Sequence, residues 1–128
     1  MKILSDINLS NMSFNKLGRG VEFKFLDMQK GEPISNIQCN AVYLFNYHNT
    51  FSEDDGFACY IVEIECTLIP HDSVNKWLAN NNFGFMDMNG GVYVPSKKDL
   101  IHLHIESGDI VIDLACEEII KDGIKLTL

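Results

Sequence analysis

Between Leu100 and Glu106 the chain reads Leu-Ile-His-Leu-His-Ile-Glu, with apolar and polar residues alternating one by one. Successive strand residues point to opposite faces, so Ile101, Leu103 and Ile105 share one face and His102, His104 and Glu106 the other. The same period recurs in residues 21–27: Val21, Phe23 and Phe25 fall together, while Glu22, Lys24 and Asp27 lie off that face or at its end. Both segments are half-buried strands, and the rest of the chain has to supply partners for them.

The longest apolar stretches, 37–47 and 57–68, supply two more strands. In the second, alternation predicts Val62, Ile64, Cys66 and Leu68 on one face, with Ile61, Glu63, Glu65 and Thr67 opposite. Residues 48–56 between them have the composition of a turn. Pro70 stops the second stretch, Asp72 or Ser73 can cap a helix, and Val74, Trp77 and Leu78 share a helical face, which predicts one short helix over about 73–80. Asn89-Gly90, Ser107-Gly108-Asp109 and Lys121-Asp122-Gly123 are hairpin signals. Ile124, Leu126 and Leu128 alternate to the last residue, as in a terminal strand. Successive short strands with tight turns predict a mainly β fold, an antiparallel β-sandwich or small curled barrel with one short α-helix. No linker or repeat divides the chain, so residues 1–128 form a single domain.

A chain of 128 residues buries roughly two thirds of its unfolded surface, enough for a core without staples. No run approaches the roughly 18 apolar residues of a membrane span. The start, Met1-Lys2-Ile3-Leu4-Ser5-Asp6, lacks the long apolar stretch of a secretory signal, which predicts a cytoplasmic protein. Cys39, Cys59, Cys66 and Cys116 have no Cys-x-x-Cys spacing and are expected as free thiols buried in strands.

Charge is distributed unevenly. From Gly31 to Asn75 there is no lysine or arginine, yet Glu32, Glu53, Asp54, Asp55, Glu63, Glu65 and Asp72 all fall there, against a net charge of −8 for the whole chain. Such a segment repels nucleic acid and attracts basic partners. The single arginine, Arg19, sits between two glycines, and no basic stripe tracks a phosphate backbone, so DNA and RNA binding are excluded.

Candidate chemistry is sparse. Two imidazoles at His102-x-His104 lie on one side of a strand and can share a metal, with Glu106 extending the same face. This spacing is similar to the His-x-His motif of the cupin family. It departs from that motif because Glu106 follows His104 by only two residues and Ser96 stands where a glycine is expected. Glu63/Glu65 and Glu117/Glu118 are paired acids on strand-like segments with no sign of differing environments, as general acid and base require. No nucleophile elbow, cysteine–histidine signature or phosphate-cradling glycine loop is present. The expectation is a protein without enzymatic activity or cofactor.

In size, acidity and β-rich pattern, with the acid cluster Glu53-Asp54-Asp55 and the pair Glu63/Glu65, the sequence resembles bacterial immunity proteins of toxin–immunity pairs, including those of contact-dependent growth inhibition systems. The resemblance implies an inhibitor that docks on a basic toxin domain, commonly a nuclease, and blocks its cleft. Glu53, Asp54, Asp55, Glu63 and Glu65, with Tyr47 and Phe51 beside them, are the expected partner-binding residues. The alternative is a small-molecule or metal-binding β-domain built on His102 and His104.

Overall fold

In the computed structural model, residues 1–49, 59–81, 98–108 and 110–128 are described. They form seven strands and one helix: β1 (Lys2–Asn15), β2 (Gly20–Leu26), β3 (Pro33–Asn49), β4 (Cys59–Ile69), α1 (Val74–Asn80), β5 (Leu100–Glu106), β6 (Ile110–Lys121) and β7 (Ile124–Lys125). The strands make one antiparallel sheet in the order β3-β2-β1-β4-β5-β6-β7, and β3 also pairs with β6. That last pairing brings the ends of the sheet together, so it curls into a ring without becoming a regular barrel. The expected mainly β class with a single short helix is what the chain forms.

Alternation accounts for the inner face. Val21, Phe23 and Phe25 of β2, Ile101, Leu103 and Ile105 of β5, and Ile112, Leu114 and Cys116 of β6 fill the ring's interior with Ile37, Cys39 and Ile64. Each buried aliphatic or aromatic side chain of this kind stabilises the fold by roughly 1.5–3 kcal/mol. The four cysteines are free; Cys39, Cys66 and Cys116 are buried as expected, whereas Cys59 is only half-buried.

Long strands close the ring by bending. β1 pairs with β4 through residues 2–9 and with β2 through residues 8–15. β3 pairs with β2 through its first half and with β6 from Ile37 to Asn49. The register shifts between Lys2 and Leu4, between Leu9 and Asn11 and between Val42 and Leu44, irregularities of the kind that bend strands, and the backbone is left-handed nearby at Asp6 (φ 54°) and Ala41 (φ 53°).

Two breaks in alternation, between Ile61 and Ile64 and between Cys66 and Ile69, change the expected faces of β4. Asp6 falls between the pairs Ser5–Glu63 and Ile7–Ile61, opposite the first of these breaks. Ile61, Ile64 and Cys66 are buried in the ring, while Val62 and Leu68, expected inside, are exposed. Ile69 is buried against α1 instead.

Helix α1 follows Pro70 through a single 3-10 turn, His71–Ser73. Ser73 occupies the N-cap position without a side-chain capping hydrogen bond, so neither it nor Asp72 caps the helix as expected. Docking supplies the stability of this seven-residue helix instead. Val74 and Leu78 pack on Ile69, Leu100, Leu44 and Ala115, with Trp77 at the margin.

The C-terminus differs from expectation as well. Ile124 and Lys125 form the short β7, and the Leu126 amide adds one more bond, to the Ile119 carbonyl at 2.9 Å. Ile124 is exposed, and Leu126 alone of the expected alternating set packs on the core.

Candidate functional site

On β5 and β6 the inner face takes the apolar residues, so the intervening ones form the outer face of the sheet. Register then decides which meet. His104 stands directly opposite Asp113 of β6 and opposite Glu65 of β4; His102 stands opposite Ala115 and Thr67; Glu106 stands opposite Val111 and Glu63. Ser107 fixes that register, because its hydroxyl accepts the Ile110 amide at 2.8 Å within the buried end of the hairpin. α1 covers the neighbouring Leu100–Ala115 patch and sets Trp77 against His102, ring centroids 4.9 Å apart.

Two imidazoles converge on one carboxylate oxygen. His102 Nε2 and His104 Nδ1 each lie 2.7 Å from Asp113 Oδ1. Direct opposition explains the His104 contact, and the diagonal position two residues along explains that of His102. The other nitrogen of His104, Nε2, lies 3.5 Å from Glu106 Oε2. The three side chains are 23–29% exposed, so the cluster is reachable from solvent.

Electrostatics follow from these contacts. Burial disfavours the His104 cation, but hydrogen bonding and opposite charge from Asp113 and Glu106 outweigh it and raise the imidazole's pKa above its ordinary value. Burial likewise disfavours the Asp113 anion, yet the hydrogen bonds from His104 and His102 and their charge hold its pKa below the ordinary carboxylate range. Together they form a partly buried, charge-assisted hydrogen-bond network.

The residues expected to bind a partner are placed unequally. Glu63 and Glu65 share the outer face of β4 and adjoin Glu106 and His104. Lys2 Nζ lies 3.2 Å from Glu63 Oε2. Tyr47 is exposed, but it pairs with Ile112 rather than Asp113, on the alternate side of β3 and β6. The structure therefore does not bring Tyr47 together with Glu63 and Glu65. Phe51, Glu53, Asp54 and Asp55 lie outside the described residues, as does the Asn89-Gly90 hairpin signal.

Asp113 carries the cluster and went unremarked among the sequence candidates. The signal that finds it is matching of the apolar faces of residues 101–105 and 110–114 across the hairpin. That parity puts Asp113 on the histidine side, although its exact neighbour depends on turn length.

A family model described as "-like:-like" matches residues 2–122. The chain belongs to that family. No curated protein matches it in sequence. Among solved structures, a crystal structure of an uncharacterized protein from Neisseria gonorrhoeae is similar to it at TM-score 0.62 and 20% sequence identity, covering 95% of this chain and 95% of that one. At that identity the likeness establishes a shared fold. No helix among the described residues is long and apolar enough to cross a membrane.

Proposed function

We propose that this protein is an acidic protein-binding inhibitor of the immunity type, which docks on a basic bacterial toxin domain and blocks its cleft. One observation carries the reading. Glu63 and Glu65 of β4, Glu106 of β5 and Asp113 of β6 share one outer face, and β4 and β5 contain no lysine or arginine. Lys2, in register with Glu65, is the cation at the edge of that face. A cleft built to hold phosphates is positive, so a nuclease domain is the partner chemistry this face fits. Complementary charge accelerates encounter with such a partner more than it adds affinity. The reading implies action in the cytoplasm without a nucleic-acid or membrane ligand.

The test begins with the adjacent reading frame. A secreted toxin with a basic C-terminal domain there, expressed and mixed with this chain, should form a complex and lose its activity. Absence of a complex with that domain contradicts the proposal.

A further inference from the structure

The geometry points to a mononuclear transition-metal site at His102 Nε2, His104 Nδ1 and Asp113 Oδ1, fitted to Zn²⁺ and open at its remaining coordination position. The site shares Asp113 and Glu106 with the proposed docking face but does not rest on that reading, since it concerns what the chain binds on its own.

Distances come first. The three donor atoms all lie within 4.8 Å of one another, with the two nitrogen–oxygen separations at 2.7 Å. Ligands of a tetrahedral zinc at about 2.0–2.1 Å stand roughly 3.3 Å apart. The cluster needs to open by well under 1 Å along each of those edges, within the reach of small χ rotations. Binding uses the neutral imidazoles with the ring proton on His102 Nδ1 and on His104 Nε2; a proton on a nitrogen facing Asp113 moves to the other ring nitrogen by exchange with water or, where that nitrogen is already protonated, is released to solvent.

Ring orientation supports the same donors. With Nδ1 of His104 on the metal, its Nε2–H faces Glu106 Oε2 at 3.5 Å, the carboxylate–histidine arrangement that fixes the tautomer of metal-bound imidazoles. Trp77 packs on the His102 ring and limits its rotation. Partial exposure leaves a side open to water or a ligand.

Donor type selects the ion. Two imidazoles with one carboxylate suit Zn²⁺, Co²⁺, Ni²⁺ or Fe²⁺, whereas Ca²⁺ and Mg²⁺ prefer all-oxygen surroundings. Glu65, opposite His104, adds negative potential that draws a cation in.

The experiment uses the full chain, stripped with a chelator and titrated with Co²⁺ followed by visible absorption, then with Zn²⁺ in competition. One Co²⁺ per chain, with ligand-field bands displaced by Zn²⁺, is the expected result. His104→Gln and Asp113→Asn should each weaken binding by about 100-fold or more, and Glu106→Gln by about 10-fold to 100-fold. Circular dichroism and thermal melting confirm that each variant is folded; His102→Gln replaces any that is not. Absence of saturable one-to-one binding, or binding unchanged in the folded variants, overturns the site.

Discussion

Asp113 Oδ1 lies 2.7 Å from His104 Nδ1, two residues brought together only by the register of β5 on β6. The contact favours the charged forms of both partners, so removing the carboxylate should be visible on the ring. In metal-free protein followed by NMR, His104 should titrate above an ordinary histidine and fall back in Asp113→Asn. A His104 titration unmoved by the substitution would count against this pairing.

Leu103 and Ile64 are fully buried in the ring, where truncation leaves a cavity bounded by strands that cannot collapse. Leu103→Ala or Ile64→Ala should cost about 2–5 kcal/mol in urea unfolding. Leu17, wholly exposed in the β1–β2 connection, should tolerate Leu17→Ser within about 0.5 kcal/mol.

The thiols offer a chemical check on the core. Burial, with Cys116 nearby, pushes the Cys66 thiol up to about 12. A hydrogen bond with Cys116 and burial raise Cys39 as well. Thiolate is the reacting species, so a thiol reagent at neutral pH should label Cys39, Cys66 and Cys116 only after unfolding. Rapid labelling of these three in native protein would show the interior to be open.

Asp122 supplies the pH dependence. Partial burial alone would raise its pKa, but bonds from the Asn36 amide and the Ser35 hydroxyl, with Lys121 beside it, bring it below the ordinary carboxylate value. A depressed folded-state pKa gives stability that is present above the unfolded value, about 4, and is lost as pH falls through the folded one. Asp122→Asn should therefore be less stable than the parent at neutral pH, by under about 1 kcal/mol because the group is partly exposed. Near pH 2 the gap should narrow, as chemical denaturation at the two pH values can measure.

Strict alternation made β2, β5 and the inner half of β6 legible, and the Pro70 stop with Val74, Trp77 and Leu78 located α1. β1 was not legible. Its many Ser, Asn and Asp residues interrupt the apolar period that would have announced a strand. The faces of β4 were misread at Val62 and Leu68, because its alternation breaks twice, between Ile61 and Ile64 and between Cys66 and Ile69, and each one-residue slip exchanges the faces of a strand. At the C-terminus the pattern overreached: Ile124, Leu126 and Leu128 alternate, but the strand ends at Lys125 and the last bond to β6 is from the Leu126 amide. The site divides the same way. His102 and His104 were visible as a pair on one strand, whereas Asp113 belongs to them only through cross-strand register, a tertiary property.

The docking account depends most directly on Glu63 and Glu65. Association of the chain with the proposed partner, a basic toxin domain from an adjacent reading frame, measured by stopped flow, should slow at least about tenfold in Glu63→Lys/Glu65→Lys at low salt and converge on the parent rate at high salt. Equal association rates for variant and parent at low salt would contradict the claim that this face of the sheet meets the partner.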